Sequence, residues 1–245
     1  MHTQLEQMPL SATTELLQEI DQQTPWTGLQ LLNLADGQSV DVGEQEEATL
    51  ILLQGEGCTA AGDRLTAPAA LTTASKSAAF TVKGPTRLLC ARVGLEQVGE
   101  SQVGESASKH DTFDAKKLTW RPSIHGGSGQ IATRHLWRPE DFHGDSWVFV
   151  DHAILGPDSS LGHHYHDALE EVFIILAGTG WMTIGERTFD VGPGSVTFHP
   201  IGIGHGLYNP TNEGLDFVRL AVGIPGETFT TIDLDSDLKS RRPQA

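Results

Sequence analysis

A strand-turn-strand plan occurs twice in this chain, about 125 residues apart, and this repeat constrains the fold more than any other feature. Residues 48–57 read ATLILLQGEG, an apolar run closed by a Gly-x-Gly turn, and residues 171–180 read EVFIILAGTG with the same layout. TRLLCARVG at 86–94 is echoed by DFVRLAVG at 216–223. Short Val, Ile, Phe and Thr-rich runs bounded by Gly, Pro, Asn and Asp are strands with tight turns, and two copies of one such plan indicate a duplicated antiparallel β-barrel. The length of 245 residues suits two units of roughly 100 residues each. The expected division is an N-terminal barrel over 1–94, a linker over 95–119, a C-terminal barrel over 120–230 and a tail over 231–245.

Local signals fill in that plan. TELLQEIDQ at 14–22 has the spacing of a short amphipathic helix. LEQVGESQVGESASKHDTF at 95–113 is polar and aperiodic, as a linker is. WRPSIHGGSGQIATRHLW at 120–137 has a Gly-rich turn leading into an alternating strand, and no Gly-Lys-Ser/Thr follows, so it is not a phosphate loop. The tail TIDLDSDLKSRRPQA is expected to be a short peripheral segment that ends in disorder.

Sixteen basic against 32 acidic residues give a formal charge of −16, which repels phosphate backbones and anionic membrane surfaces. Neither nucleic acid nor membrane is an expected partner, and no apolar run approaches a membrane-spanning length. Cys58 and Cys90 are too few for a disulfide framework and fit buried thiols in a reducing compartment. The opening residues lack a basic stretch followed by an apolar core, so a cytoplasmic location is expected.

The chemistry concentrates in the second copy of the plan. In LGHHYHDALEEVFIILAG, His164 and His166 are two apart, which on a strand sets both imidazoles on one face. Glu171 opens the next strand and can return toward that face, and His205 follows a Pro/Gly turn in HPIGIGHGLYNP. Three imidazoles and a carboxylate suit one divalent transition metal, Mn, Fe, Ni, Co, Cu or Zn, better than Mg or Ca. An octahedral ion would keep two positions open for a chelating substrate. Glu170 lies one residue off this register, and a slip of one position would exchange it with Glu171. His163 falls on the opposite face of its strand.

These residues resemble the cupin superfamily. Its first motif reads here as His164, His166, Glu171 and Gly178, and its second as Gly194, Pro200, Gly202, His205 and Asn209. One departure is Asp158, which stands where the family has a glycine, with Gly156 two positions upstream. The resemblance implies an all-β, jelly-roll barrel with a mononuclear metal, usually dimeric. Extended to the repeat, it implies a bicupin whose N-terminal barrel is degenerate: Asp41, Gly43 and Ala48 stand where the ligands His164, His166 and Glu171 do, and Lys76 is near the fourth. That barrel is expected to bind no metal and to serve as scaffold or dimerisation element.

Further candidates surround the ligands. His199 is an acid or base candidate at the barrel mouth, Tyr208 and Asn209 are candidates for contact with the ligands, and Arg219 could clamp a substrate carboxylate or phosphate or pair with an acidic neighbour. Phe173, Ile175 and Phe198 are expected to line the pocket. The reading is a metal-dependent enzyme, of isomerase, dioxygenase, decarboxylase or lyase type, acting on a small oxygen-rich substrate. The alternative is a metal- or small-molecule-binding protein without turnover, used in storage or sensing. Fold alone does not choose.

Overall fold

The computed structural model describes residues 2–4, 14–17, 23–74, 79–95 and 108–243. The chain is all-β, with antiparallel sheets of jelly-roll type, and divides into two compact units. One comprises Met8–Phe113 with Pro139–Trp147; the other comprises Met1–Gln7, Asp114–Arg138 and Val148–Ala245.

In the N-terminal unit the long strands Glu46–Thr59 and Phe80–Gly94 pair antiparallel, with Leu50 opposite Cys90 and Leu52 opposite Leu88. Their apolar faces join Ala48, Val82 and Phe80 in one buried cluster. The expected helix at 14–22 is corrected over its described part: Thr14–Glu15 is a strand paired with Trp26–Leu34, and residues 18–22 lie outside the described residues. Pairing to a neighbouring sheet outweighs the weak helical periodicity of so short a stretch.

The boundaries also differ from the sequence expectation. Lys109–Thr112, read as linker, is a strand beside Ala69–Thr73. Pro139–Trp147 groups with the N-terminal unit, where the buried carboxylate of Glu47 accepts the backbone N–H groups of His143, at 3.0 Å, and Gly144, at 3.2 Å. The tail is ordered at its start: Thr231–Asp233 pairs with the strand Ser159–His166, and Leu238 is buried.

The C-terminal unit contains, among the described residues, a seven-stranded and a five-stranded sheet. The first carries Leu169–Ala177 between Ser195–His199 and Leu215–Gly223; the second carries His205–Asn209 between Gly180–Ile184 and Ser159–His166. Leu161, Phe173, Ile175, Met182, Leu207 and Phe217 share one apolar core. The Gly-x-Gly turns of the repeat have a common cause. Gly55 and Gly178 both have positive φ, and a Cβ at either would press on backbone, 2.7 Å from the Pro85 carbonyl oxygen and 2.5 Å from that of Gly214.

Candidate metal centre

The strand Ser159–His166 delivers two histidines to the interior because its register is broken. Leu161 is opposite Leu207 and His164 is opposite His205, so three steps on one strand match two on the other. This β-bulge reverses the alternation. Leu161 stays in the apolar core while His164 and His166, not His163, turn inward. Glu171 comes from Leu169–Ala177 and His205 opens His205–Asn209 after a turn in which the Gly202 N–H donates to the His166 carbonyl at 2.8 Å.

Ligating atoms of His164, His166, Glu171 and His205 lie within 4.8 Å of one another, and all four residues are buried. The residues fit a metal cation. His164 Nδ1 donates to the Gly162 carbonyl at 2.8 Å and His205 Nδ1 to the Ile203 carbonyl at 3.0 Å. A carbonyl can only accept, so each ring carries its hydrogen on Nδ1, and a neutral ring turns an Nε2 lone pair inward. His205 Nε2 is 2.9 Å and His166 Nε2 is 3.2 Å from the same Glu171 oxygen, Oε2. Two acceptors at that separation need a positive charge between them, a proton or a metal. His164 Nε2 and Glu171 Oε1 are buried without a hydrogen-bond partner, two more donor atoms aimed at the same place.

Electrostatics point the same way. Burial pushes the Glu171 carboxyl up, but the neighbouring His166 and His205 rings and the charge of Arg219 outweigh it and hold the group well below the usual carboxylate range. Burial, reinforced by neighbouring His205 and His125, pushes His164 down to about 2, which keeps the ring a neutral ligand.

The other candidates are placed unequally. His199 is wholly buried opposite Glu171, its Nε2 2.8 Å from the Thr197 hydroxyl and its ring centroid 4.5 Å from that of His205. It therefore sits inside the unit, not at a mouth. Arg219 does face inward. Its Nη2 is 2.6 Å from Asp151 Oδ2, its Nη1 is 3.9 Å from Glu171 Oε1, and its guanidinium lies 5.1 Å from the Phe149 ring centroid.

Tyr208 is corrected: it turns to the opposite side of its strand, where its hydroxyl donates to Asp158 at 2.5 Å beside Trp181. Asp158, the departure from the motif, is thus its hydrogen-bond acceptor. Asn209 ties turns together through the carbonyls of Leu155, Gly156 and Glu213. Phe173 touches the centre, 6.2 Å from His205 and 4.6 Å from His199 between ring centroids, whereas Ile175 lies two residues deeper in the core. Phe198 is corrected as well: adjacent to the inward pair Thr197 and His199, it points to the other face. Glu170 is buried but stands outside the ligand group, and His163 is buried outside it as well, its ring against Gly204.

Sequence reasoning missed His125. Its ring stacks on that of His164, centroids 3.9 Å apart and planes at 20°, and its Nδ1 is 3.4 Å from Asp233 Oδ1. Gly162 makes this possible. The loop backbone lies so close that a Cβ there would collide with the His125 carbonyl and stand 2.6 Å from Gly127 N. The positive φ of His125, 57°, was hidden inside a Gly-rich turn whose glycines were the only cue.

Residues 152–222 match the family described as Cupin domain. The chain is 29% identical over 100 residues, 41% of its own length and 82% of the relative's, to an oxalate-binding protein of Thermotoga maritima. It is 24% identical over 142 residues, 55% of its length and 30% of the relative's, to a mannose-1-phosphate guanylyltransferase of Escherichia coli O157:H7. Among solved structures it is similar to the oxalate decarboxylase of Lactobacillus farciminis in a formate complex, with TM-score 0.56, 13% identity and coverage of 94% of this chain and 88% of that one. It is likewise similar to a Bacillus subtilis oxalate decarboxylase studied for its Mn(II) centres, with TM-score 0.56, 12% identity and coverage of 94% and 79%. At such identities the structural likeness concerns the fold. With the motif residues gathered in one buried cluster and the family match seated on the strands that carry it, residues 152–222 of the chain are a domain of the cupin superfamily.

Proposed function

We propose that this protein holds one divalent transition metal through His164, His166, Glu171 and His205, and acts on a small carboxylate that chelates it, of the dicarboxylate or 2-oxo-acid class. The observation that carries this reading is the ionised Glu171 Oε2 between two Nε2 atoms at 2.9 and 3.2 Å, an arrangement that calls for a cation. When bound, such a metal supplies Lewis-acid polarisation of a substrate oxygen. The chain's residues do the remaining work. Arg219 provides a fixed positive charge beside the cluster, held in orientation by Asp151, and suits a carboxylate better than a neutral sugar. Phe173 closes the apolar side and keeps water from the donors. The N-terminal unit serves as the silent half of a duplicated pair: Ala48 is buried in its apolar core and Asp41 is exposed, which supports a scaffold role.

The oxalate-binding name of the Thermotoga maritima relative supports oxalate as the first ligand to try. In titration calorimetry the Mn(II)-loaded protein is expected to bind oxalate while the metal-free protein and acetate controls give no heat. Arg219→Gln is expected to weaken binding roughly 10-fold, the scale of a charge-assisted hydrogen bond. Equal binding with and without metal would refute the chelation reading.

A second reading, binding without turnover, is favoured by one observation. Of the acid-base candidates, His199 is sealed in the interior with its Nε2 on Thr197, and Tyr208 faces away. Release of carbon dioxide or uptake of dioxygen by the metal-loaded protein with oxalate decides between the two.

A further inference from the structure

The three imidazoles of the cluster are not oriented in the same way. His164 and His205 each donate from Nδ1 to the carbonyl two residues upstream, Gly162 on the same strand and Ile203 in the turn that leads into the strand. His166 has no such local partner. Its Nδ1 is 3.0 Å from the hydroxyl of Thr231, 65 residues downstream. Thr231 belongs to the short strand Thr231–Asp233, which pairs antiparallel with Ser159–His166 so that Thr231 is opposite His166 and Asp233 is opposite His164. The period of two along both strands therefore sets Thr231 against one ligand and brings Asp233 to the imidazole stacked on the other, His125.

The segment is anchored on both sides of this contact. Before it, the Phe229 ring meets His166 edge-on at 5.8 Å. After it, the Leu234 N–H donates to the His163 carbonyl at 2.7 Å, and Leu238 is buried. Leu234 and Leu238 rest on glycines: a Cβ at Gly204 would stand 2.8 Å from Leu234 Cδ1, and one at Gly206 2.6 Å from Leu238 Cδ1. Lys239 closes the strap on Asp158 at 2.8 Å.

We propose that Thr231 is a positioning residue for the metal ligand His166: its hydroxyl fixes the ring so that Nε2 faces the cluster, and the C-terminal strap is thereby part of the metal centre. This inference rests on the metal reading above. A partner on the far nitrogen of a ligating imidazole typically contributes 10- to 100-fold in metal affinity.

The test uses the full chain with Co(II), whose visible absorption reports ligand geometry. Wild-type protein is expected to bind one Co(II). Thr231→Val, which keeps the shape and removes the hydroxyl, is expected to bind about 10- to 100-fold more weakly with a shifted d–d spectrum, and Thr231→Ser to restore both. Asp233→Asn should leave Co(II) affinity within about threefold, because Asp233 meets His125 and not a ligand of the proposed set. Unchanged affinity and spectrum in Thr231→Val would overturn the role of Thr231; no binding by the wild-type protein would overturn the metal reading instead. Should the valine variant fail to fold, imidazole 15N NMR of the wild-type chain with Zn(II) still decides. His166 bound through Nε2 with Nδ1 protonated supports the inference, and His166 bound through Nδ1 refutes it.

Discussion

A histidine whose Nδ1 donates to a carbonyl has only Nε2 left to offer, and at His164 and His205 the carbonyl lies two residues back along the chain. The side-chain period of two made the His164/His166 pair legible in the sequence, and the fixed spacing to Glu171 and His205 followed. What was not legible at this scale depends on chain segments meeting across long separations. His125, Thr231, Asp151 and Asp233 sit in unremarkable local contexts, and only the folded arrangement brings the first two to ligands, Asp151 to Arg219 and Asp233 to His125. The depressed basicity of His164 has a measurable consequence. The native state refuses a proton that the unfolded chain takes up below the ordinary imidazole value of 6.5, so stability rises with pH in that window and is lost as pH falls below 6.5. Urea unfolding of the metal-free protein should show stability dropping by roughly 1 kcal/mol per pH unit from this group between pH 6 and about 5, with a shallower slope in His164→Gln. Identical slopes would show that His164 is not held neutral.

Among the elements, the strands of the repeat were read correctly because their apolar runs and Gly turns are local signals. The long pairs Glu46–Thr59 with Phe80–Gly94 and Leu169–Ala177 with Leu215–Gly223 are antiparallel neighbours, each within its own unit. Lys109–Thr112 escaped notice because an edge strand of polar residues has no alternating pattern to read. The tail escaped because its docking rests on two leucines meeting glycines elsewhere in the chain. Phe198 was assigned the wrong face by composition, when alternation from its neighbours decides it. The β-bulge at Gly162–His163 was invisible for the same reason that it matters: one extra residue changes which histidines face inward without altering the amino-acid pattern. Gly162→Ala is accordingly expected to destabilise the protein by about 2 kcal/mol or more, since the added Cβ meets backbone on which the His125 loop rests. Thermal unfolding checks the loss, and an unchanged melting temperature would mean that the loop yields freely.

For the whole molecule, a charge of −16 repels polyanions at long range without identifying a ligand, and a buried cation site with one inward arginine is compatible with that charge. The sequence reads as a repeated plan whose first copy lacks the ligand set, and the residues aligned with the ligands do not gather into one: Asp41 and Gly43 are exposed and Ala48 is core, while Lys76 lies outside the described residues. Among the described residues, His164, His166, Glu171 and His205 are the group of ligand-type side chains close enough to share an ion. Metal content by mass spectrometry on untagged protein, stripped and reloaded with a first-row divalent ion, therefore tests the central claim. The account predicts one ion per chain in the wild type, in Asp41→Ala and in Glu170→Ala, and almost none in folded His164→Ala or His205→Ala. A full equivalent retained by the histidine variants, or lost equally from Glu170→Ala, would contradict it.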